Sequence, residues 1–396
     1  MLDYIAVNND PLGKEIVELL IDDGDSYIAE IRRKLDSSIP TITKKINRLI
    51  EDGIVMEKGK QDTVGGRKPV LYGLNPNAGY FIGVELHRTY LNIALMQFDG
   101  TIRQFSKHVH SELENSTRSF ETLCEAILSY LREQEIDQKE VIAYGFNLSG
   151  RVNAGSGQSF NLFFGNDKTP LKERLEKRLG CPVFLENDSR AMTYGEHMLC
   201  WNKVDDMLFL NLTWGLGMGM IVNGKTVYGK SGYAGEIGHF PMLNNNQICR
   251  CGKVGCLETG ASGQALHRIL LEKIRQGASS ILSEKLEQNG DISMDDILDA
   301  IQEEDVLAIE CIEKIGVVLG RSVAGLINLF NPEVVVIGGV LSKANDYLMI
   351  PVVGTINKLS LHFVNKDTTV SISKLGEKAG PIGACLLSRS KILNLE

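Results

Sequence analysis

The sequence predicts an α/β chain headed by a winged helix-turn-helix. Three observations carry that expectation. Three amphipathic helical patterns and a β-hairpin pattern fall within the first 75 residues. From Tyr80 onward, apolar β-branched runs alternate with helical stretches. Basic charge also gathers in one short segment of an acidic chain. The formal net charge is −8, yet residues 31–70 carry ten basic and five acidic side chains, against one and eight in residues 1–30. Such a segment suits a small DNA-binding module, and equally a solvated charged surface.

At 396 residues the chain has room for two or three domains and a large core. Its 43% hydrophobic and 23% charged content is that of a soluble globular protein. No apolar run approaches the roughly 20 residues of a membrane helix. The N-terminal "MLDYIAVNNDPLGKEIVELL" lacks a basic stretch followed by an apolar core, so no secretory signal is expected. The expected compartment is the reducing cytoplasm, where stable disulfides are disfavoured.

The first helix is expected in "PLGKEIVELLID", with a proline at its start and Ile16, Leu19 and Leu20 on one face. The second is expected in "DSYIAEIRRKL", with Asp25 as N-cap and Ile28, Ile31 and Leu35 inward. The third, "SIPTITKKINRLIEDG", has Ser38 as N-cap, Pro40 in the first turn and a stop at Gly53. It turns Ile42, Ile46, Leu49 and Ile50 inward. Thr41, Thr43, Lys44, Lys45 and Arg48 lie on the opposite face, where hydroxyls and amines suit phosphate and base-edge contacts. "IVMEK" and "VLYGL" then read as a hairpin wing around Gly65 and Gly66, offering Arg67 and Lys68 to a minor groove. A small helical oligomerisation domain is the competing reading of these 75 residues.

Beyond a linker near "NPNAG", "YFIGVELHRTYLNIALMQFDG" reads as two strands of a hairpin ending in an Asp-Gly turn. Further strands are expected in "EVIAYGFNLSG", "CPVFLEND", "MLFLNLTWGLGMGMIVNG" and "PEVVVIGG". Helices are expected in "TRSFETLCEAILSYLREQ" and "TPLKERLEKRLG", with one long helical block from Gly263 to Leu329. The domains are thus residues 1–75 and 76–396.

One stretch stands out chemically. Cys249, Cys251 and Cys256 crowd together, with His239 upstream and Glu258 just downstream. One imidazole and three thiols suit a closed tetrahedral zinc site, and Gly252 and Gly255 let the chain bend around it. Buried free thiols or a redox pair remain the alternatives at this level. Cys124, Cys181, Cys200, Cys311 and Cys385 sit in apolar or helical contexts and read as core thiols.

The motifs "GGRKP", "ENDSRAMTYGE", "AGEIGH", "CRCGKVGCLE" and "INLFNPEVVVIGG" resemble the ROK family of repressors, open reading frames and sugar kinases. The resemblance covers essentially the whole chain and is nearest to the repressor branch. It implies a two-lobed actin-like ATPase, ribonuclease H-like body behind the winged helix, and a homodimer or homotetramer. It implies a structural zinc on His239, Cys249, Cys251 and Cys256. It also implies sugar contacts from Asn187, Asp188, Glu236, His239 and Glu258, with Asp188 at the position of the kinases' general base. Strand ends, such as that before Asn187, are where α/β folds place ligands. Ser149-Gly150 stands where the family has Pro-Gly beside the sugar.

The departures fall on the nucleotide side. The family's first phosphate loop, Asp-x-Gly-Gly-Thr, reads "ELHRT" here: Glu85, His87 and Arg88 replace the acid and both glycines, and Thr89 is kept. The second, Gly-Thr-Gly-Ile-Gly-x-Gly, reads "TWGLGMG", with Thr213 and Trp214 in place of Gly-Thr. Gly215, Gly217 and Gly219 survive, as do Gly338 and Gly339 near the family's adenosine site. Bulky side chains hinder the close backbone approach that a phosphate needs. The expectation is a sugar- or sugar-phosphate-responsive transcriptional regulator bound to operator DNA, without phosphotransferase activity. The alternatives are an active sugar kinase fused to a DNA-binding domain, and a DNA-binding protein blind to sugars.

Overall fold

The computed structural model describes residues 10–60, 69–113, 116–160 and 169–395. These form two compact units: Met1–Ala191 with Gly380–Glu396, and Met192–Ala379. No helix among the described residues is long and apolar enough to cross a membrane.

The first unit begins with α1 (Pro11–Asp22), β1 (Ser26–Tyr27), α2 (Ile28–Lys34), α3 (Ile39–Glu51), β2 (Val55–Lys60) and β3 (Val70–Leu74). Ile16, Val17, Leu20, Ile31, Ile42 and Ile46 form its buried centre. As expected, the Ser38 hydroxyl caps α3 by accepting the Thr41 N–H. The expected Asp25 cap is corrected. Ser26 and Tyr27 pair with Tyr72 and Leu71 as a short strand, so α2 starts later. There the Tyr27 N–H donates to Glu30, and Asp25 lies against Gly73 instead. The wing closes as a sheet in the order β1-β3-β2. Arg67 and Lys68 lie outside the described residues.

The rest of this unit holds a mixed sheet of β4 (Tyr80–Leu86), β5 (Tyr90–Gln97), β6 (Ile102–His110), β7 (Val141–Leu148) and β10 (Val183–Asn187), in the order β10-β7-β4-β5-β6, and a separate ladder of β8 (Arg151–Asn153) with β9 (Gln158–Phe160). A third antiparallel strand, β6, follows the Asp99-Gly100 turn and extends the expected hairpin. Helices α4 (Thr117–Glu133) and α5 (Leu171–Leu179) join the apolar residues of β4, β5 and β7 in one core. The C-terminal helix (Ala379–Leu393) lies against the side where Gly83 and Gly145 face it. A Cβ on Gly83 would come within 1.9 Å of the Pro381 carbonyl, so the close approach requires glycine.

The second unit repeats this plan. Strands β11 (Met207–Leu212), β12 (Leu216–Val222), β13 (Lys225–Thr226), β14 (Val334–Gly338) and β15 (Thr369–Ile372) run in the order β13-β12-β11-β14-β15. Each unit thus joins a three-stranded antiparallel meander to two further parallel strands. This duplication is the actin-like plan. The expected single helical block resolves into four helices: α7 (Gly263–Arg275), α8 (Ser283–Asn289), α9 (Met294–Gln302) and α10 (Val306–Phe330). Gly290, at φ 73°, ends α8, and the Asp305 carboxylate caps α10. All eight cysteines are free; Cys181 and Cys200 are only partly buried, unlike the core thiols Cys124, Cys311 and Cys385.

Candidate functional sites

The exposed face of α3 carries Thr41, Lys44 and Arg48. Lys44 and Arg48 lie one helical turn apart, so both cationic groups can track one phosphate backbone. Two of the expected contacts are already engaged. The Thr43 hydroxyl donates to the Ile39 carbonyl at 2.8 Å, and Lys45 pairs with Asp10. Burial alone would raise Asp10, but the hydrogen bond from Lys45 holds its carboxyl below the usual range. Exposed Asn47, on the same helix, was not singled out from the sequence.

The Cys–His stretch folds into a tight knuckle. Gly252 and Gly255 adopt φ of 85° and 82°, conformations that favour glycine. The Cys249 N–H donates to the Lys253 carbonyl at 2.8 Å, and Ile248 bridges Val254. One ligand atom each from His239, Cys249, Cys251 and Cys256 lies within 4.8 Å of all the others. His239 Nδ1 is 3.5 Å from Cys249 Sγ, and Cys251 Sγ is 3.6 Å from Cys256 Sγ. A tetrahedron with metal–sulfur bonds of about 2.3 Å places its sulfurs roughly 3.7 Å apart, so the donor set fits zinc. Burial and the neighbouring thiols push Cys249 up to about 12. The Lys253 N–H pulls Cys251 down. The other imidazole nitrogen, Nε2, lies 3.7 Å from Glu236.

Glu258 follows the knuckle directly. Its carboxylate accepts the Leu216 N–H at 3.1 Å, and Cys249 Sγ lies 3.7 Å from its other oxygen. In the first unit, Asn187 ends β10 and Asp188 opens α6 (Asp188–Cys200). Asp188 accepts hydrogen bonds from the Ser149 hydroxyl at 2.9 Å, the Asn187 amide at 3.0 Å and the Ser189 N–H at 2.7 Å. Burial nevertheless raises its carboxyl above the ordinary range, and nearby Glu85 adds to this. Ser149, where the resemblance expects proline, thus has a definite role.

Residues 81–391 match the ROK family, and residues 9–56 match a winged helix-turn-helix DNA-binding family. The chain belongs to the ROK family. It is 28% identical over 398 residues to a xylose repressor of Caldicellulosiruptor bescii, covering 98% of this chain and 99% of the relative. A glucokinase of Halalkalibacterium halodurans is 29% identical over 323 residues, 80% of this chain and 97% of its own length. Among solved structures, a ROK family transcriptional regulator described as a homologue of the E. coli MLC protein has a TM-score of 0.81 and 29% identity, over 99% of this chain and 97% of its own.

In this ROK chain the two stretches that resemble the family's phosphate loops bond internally. Glu85 is buried and accepts the Asn92 amide at 2.9 Å, with His87 Nε2 at 3.2 Å from the same oxygen. The His87 ring stacks on Tyr90, with centroids 4.3 Å apart. In the second loop, the Thr213 and Trp214 carbonyls accept the N–H groups of Gly263 and Gln264 at 2.8 and 2.9 Å. Those amides open α7 and would otherwise be free to meet an anion. Gly338 and Gly339 have packing reasons of their own. Their Cβ atoms would lie 2.2 Å from the Phe209 ring and 2.4 Å from the Leu212 carbonyl. Glu186 and Arg190, a buried pair at 2.7 Å beside Asn187 and Asp188, were missed from the sequence. Their i, i+4 spacing across the strand–helix junction was the available signal.

Proposed function

We propose that this ROK chain is a sugar- or sugar-phosphate-responsive transcriptional regulator, a repressor relieved by its effector. Operator DNA is bound through α3, with Lys44 and Arg48 on phosphates and Thr41 nearby. The residues proposed to contact the effector are Asn187, Asp188, Glu236, His239 and Glu258. A structural zinc on His239, Cys249, Cys251 and Cys256 fixes the knuckle and orients the imidazole that would meet the sugar. The protein acts as a homodimer or homotetramer, since one winged helix reads one half-site and a twofold partner reads the other.

One contrast carries this reading. The sugar-side residues keep their polar groups, while the phosphate-loop positions carry His87, Arg88 and Trp214, and the Thr213 and Trp214 carbonyls accept the first amides of α7. The relatives agree, because the full-length matches are regulators and the glucokinase accounts for only 80% of this chain. An effector can shift DNA affinity only by binding the two states unequally.

An active kinase is the second reading, favoured by Asp188, whose raised carboxyl suits a general base. ATP consumption measured over a panel of hexoses and pentoses separates the two. The regulator reading expects no turnover above background, and sugar-dependent weakening of operator binding. Turnover abolished by Asp188→Asn would overturn it.

A further inference from the structure

The second unit presents an aromatic side chain that the effector contacts above do not include. Trp214 lies in the turn between β11 and β12 and is 43% exposed. Its backbone is fixed on both sides. The Thr213 N–H donates to Gly215 at 3.1 Å, and the Gln264 N–H donates to Trp214 at 2.9 Å. The indole leans on His267, with centroids 5.3 Å apart and planes at 57°. His267 is itself held, its Nε2 2.8 Å from Asp291 and 3.1 Å from the Ile292 carbonyl. One part of the indole is therefore buttressed and the rest stands open.

The same turn holds Glu258. The Leu216 N–H donates to its Oε2, and a Cβ on Gly215 would come within 2.8 Å of that oxygen. An open indole and a fixed carboxylate thus share one rigid turn. A sugar ring has an apolar C–H face and a rim of hydroxyls, and it needs both kinds of partner. A rigid aromatic surface supplies apolar contact with little ordering cost, while a carboxylate accepts hydroxyl hydrogen bonds.

We propose that Trp214 and Glu258 form one carbohydrate platform, the indole packing on the C–H face of a sugar whose hydroxyls Glu258 engages. This rests on the effector reading above and deepens it. It also gives Trp214 a purpose in a turn that has stopped serving phosphate: a cradle for anions has become a stacking surface.

Calorimetric titration with D-xylose, D-glucose, N-acetyl-D-glucosamine and their phosphates tests it. Trp214→Ala should weaken whichever sugar binds the wild type by about tenfold, the expected scale for losing part of an indole's buried surface. Trp214→Phe, which keeps an aromatic face, should stay within about threefold. Both should melt with the wild type. The chain holds two tryptophans, so Trp201→Phe leaves Trp214 as the sole indole reporter. Its emission should shift on sugar addition. Unchanged affinity in Trp214→Ala, with unmoved emission, overturns the platform and leaves the effector reading intact. Failure of every sugar to bind the wild type overturns the effector reading, and the platform with it. If Trp214→Ala misfolds, the phenylalanine variant and the emission shift still decide.

Discussion

The hairpin of β4 and β5 and the Cys–His knuckle each place an imidazole beside a carboxylate, and they use it in opposite ways. In the hairpin of β4 and β5, His87 Nε2 lies 3.2 Å from Glu85, and Asn92 and Tyr90 complete the arrangement. The polar groups there turn toward one another. In the knuckle, His239 Nε2 faces Glu236 at 3.7 Å, while Nδ1 and three sulfurs converge on a common point. Side-chain identity alone does not separate the two. The glycines do: the knuckle's backbone bends at Gly252 and Gly255 so that donors point inward. The hairpin has side chains at His87 and Arg88, where the family has glycine, and closes on itself.

The largest expected effect breaks the knuckle. Metal analysis of the purified protein should find one zinc per chain. Cys251→Ser should lose it, lower the melting temperature by about 5–10 °C, and abolish the effector's effect on operator binding. Metal binding and folding are linked, so the loss should appear in both measurements. Zinc retained at wild-type level, or sensing that persists without it, would sink the scaffold role. The matching change in the hairpin, His87→Ala, should leave zinc content untouched.

Next in size is the DNA face, where exposure ranks the residues. Lys44→Ala and Arg48→Ala should each weaken operator binding by up to about tenfold at moderate salt. Each should also reduce the slope of log affinity against log salt by about one. Lys45→Ala should behave differently, because that amine is already paired with Asp10. Its main effect should be a slightly less stable winged helix, by about 1 kcal/mol or less, as for a partly exposed pair. Equal loss of DNA affinity for Lys44→Ala and Lys45→Ala would show that the internal pair opens on DNA.

Much of this was legible in the sequence, for definite reasons. Helix α3 announced itself because Ser38, Pro40 and Gly53 bracket an apolar stripe of period 3.6. The knuckle did so because three thiols and an imidazole crowd around two glycines within a short stretch. The duplicated sheet left no such mark. Strand order is set by pairings between distant residues, and β15 is a short edge-like run without strong alternation. The Asp25 cap failed because two residues of sheet pairing took priority over a local capping preference. Among the site residues, the Ser149–Asp188 contact was illegible because the two meet only once the strand ends are aligned, whereas Glu186 and Arg190 offered their i, i+4 spacing. Trp214 was legible as an obstacle to phosphate, but its buttress on His267 comes from a helix some fifty residues on.

The smallest expected effect concerns Asp188 and sharpens the contrast with the hairpin. Burial raises its folded-state pKa above the unfolded value, against the hydrogen bonds from Ser149 and Ser189. A carboxyl raised in this way favours the fold below its unfolded pKa, and that contribution is lost as pH rises through the folded pKa. At neutral pH the charge is therefore a cost, and Asp188→Asn should melt above the wild type by about 2 °C. The gap should narrow as the pH falls below the ordinary aspartate range, about 3.9, where the carboxyl is protonated in the folded and the unfolded chain alike. Circular dichroism melts across that range measure it directly. A pH-independent gap, or a lower melting point at neutral pH, would mean that lost hydrogen bonds outweigh the relieved charge. Because Glu85 adds to the raised pKa, Glu85→Gln should shrink the advantage of Asp188→Asn. That would tie the self-closed hairpin electrostatically to the one carboxylate of the first unit proposed to meet the effector.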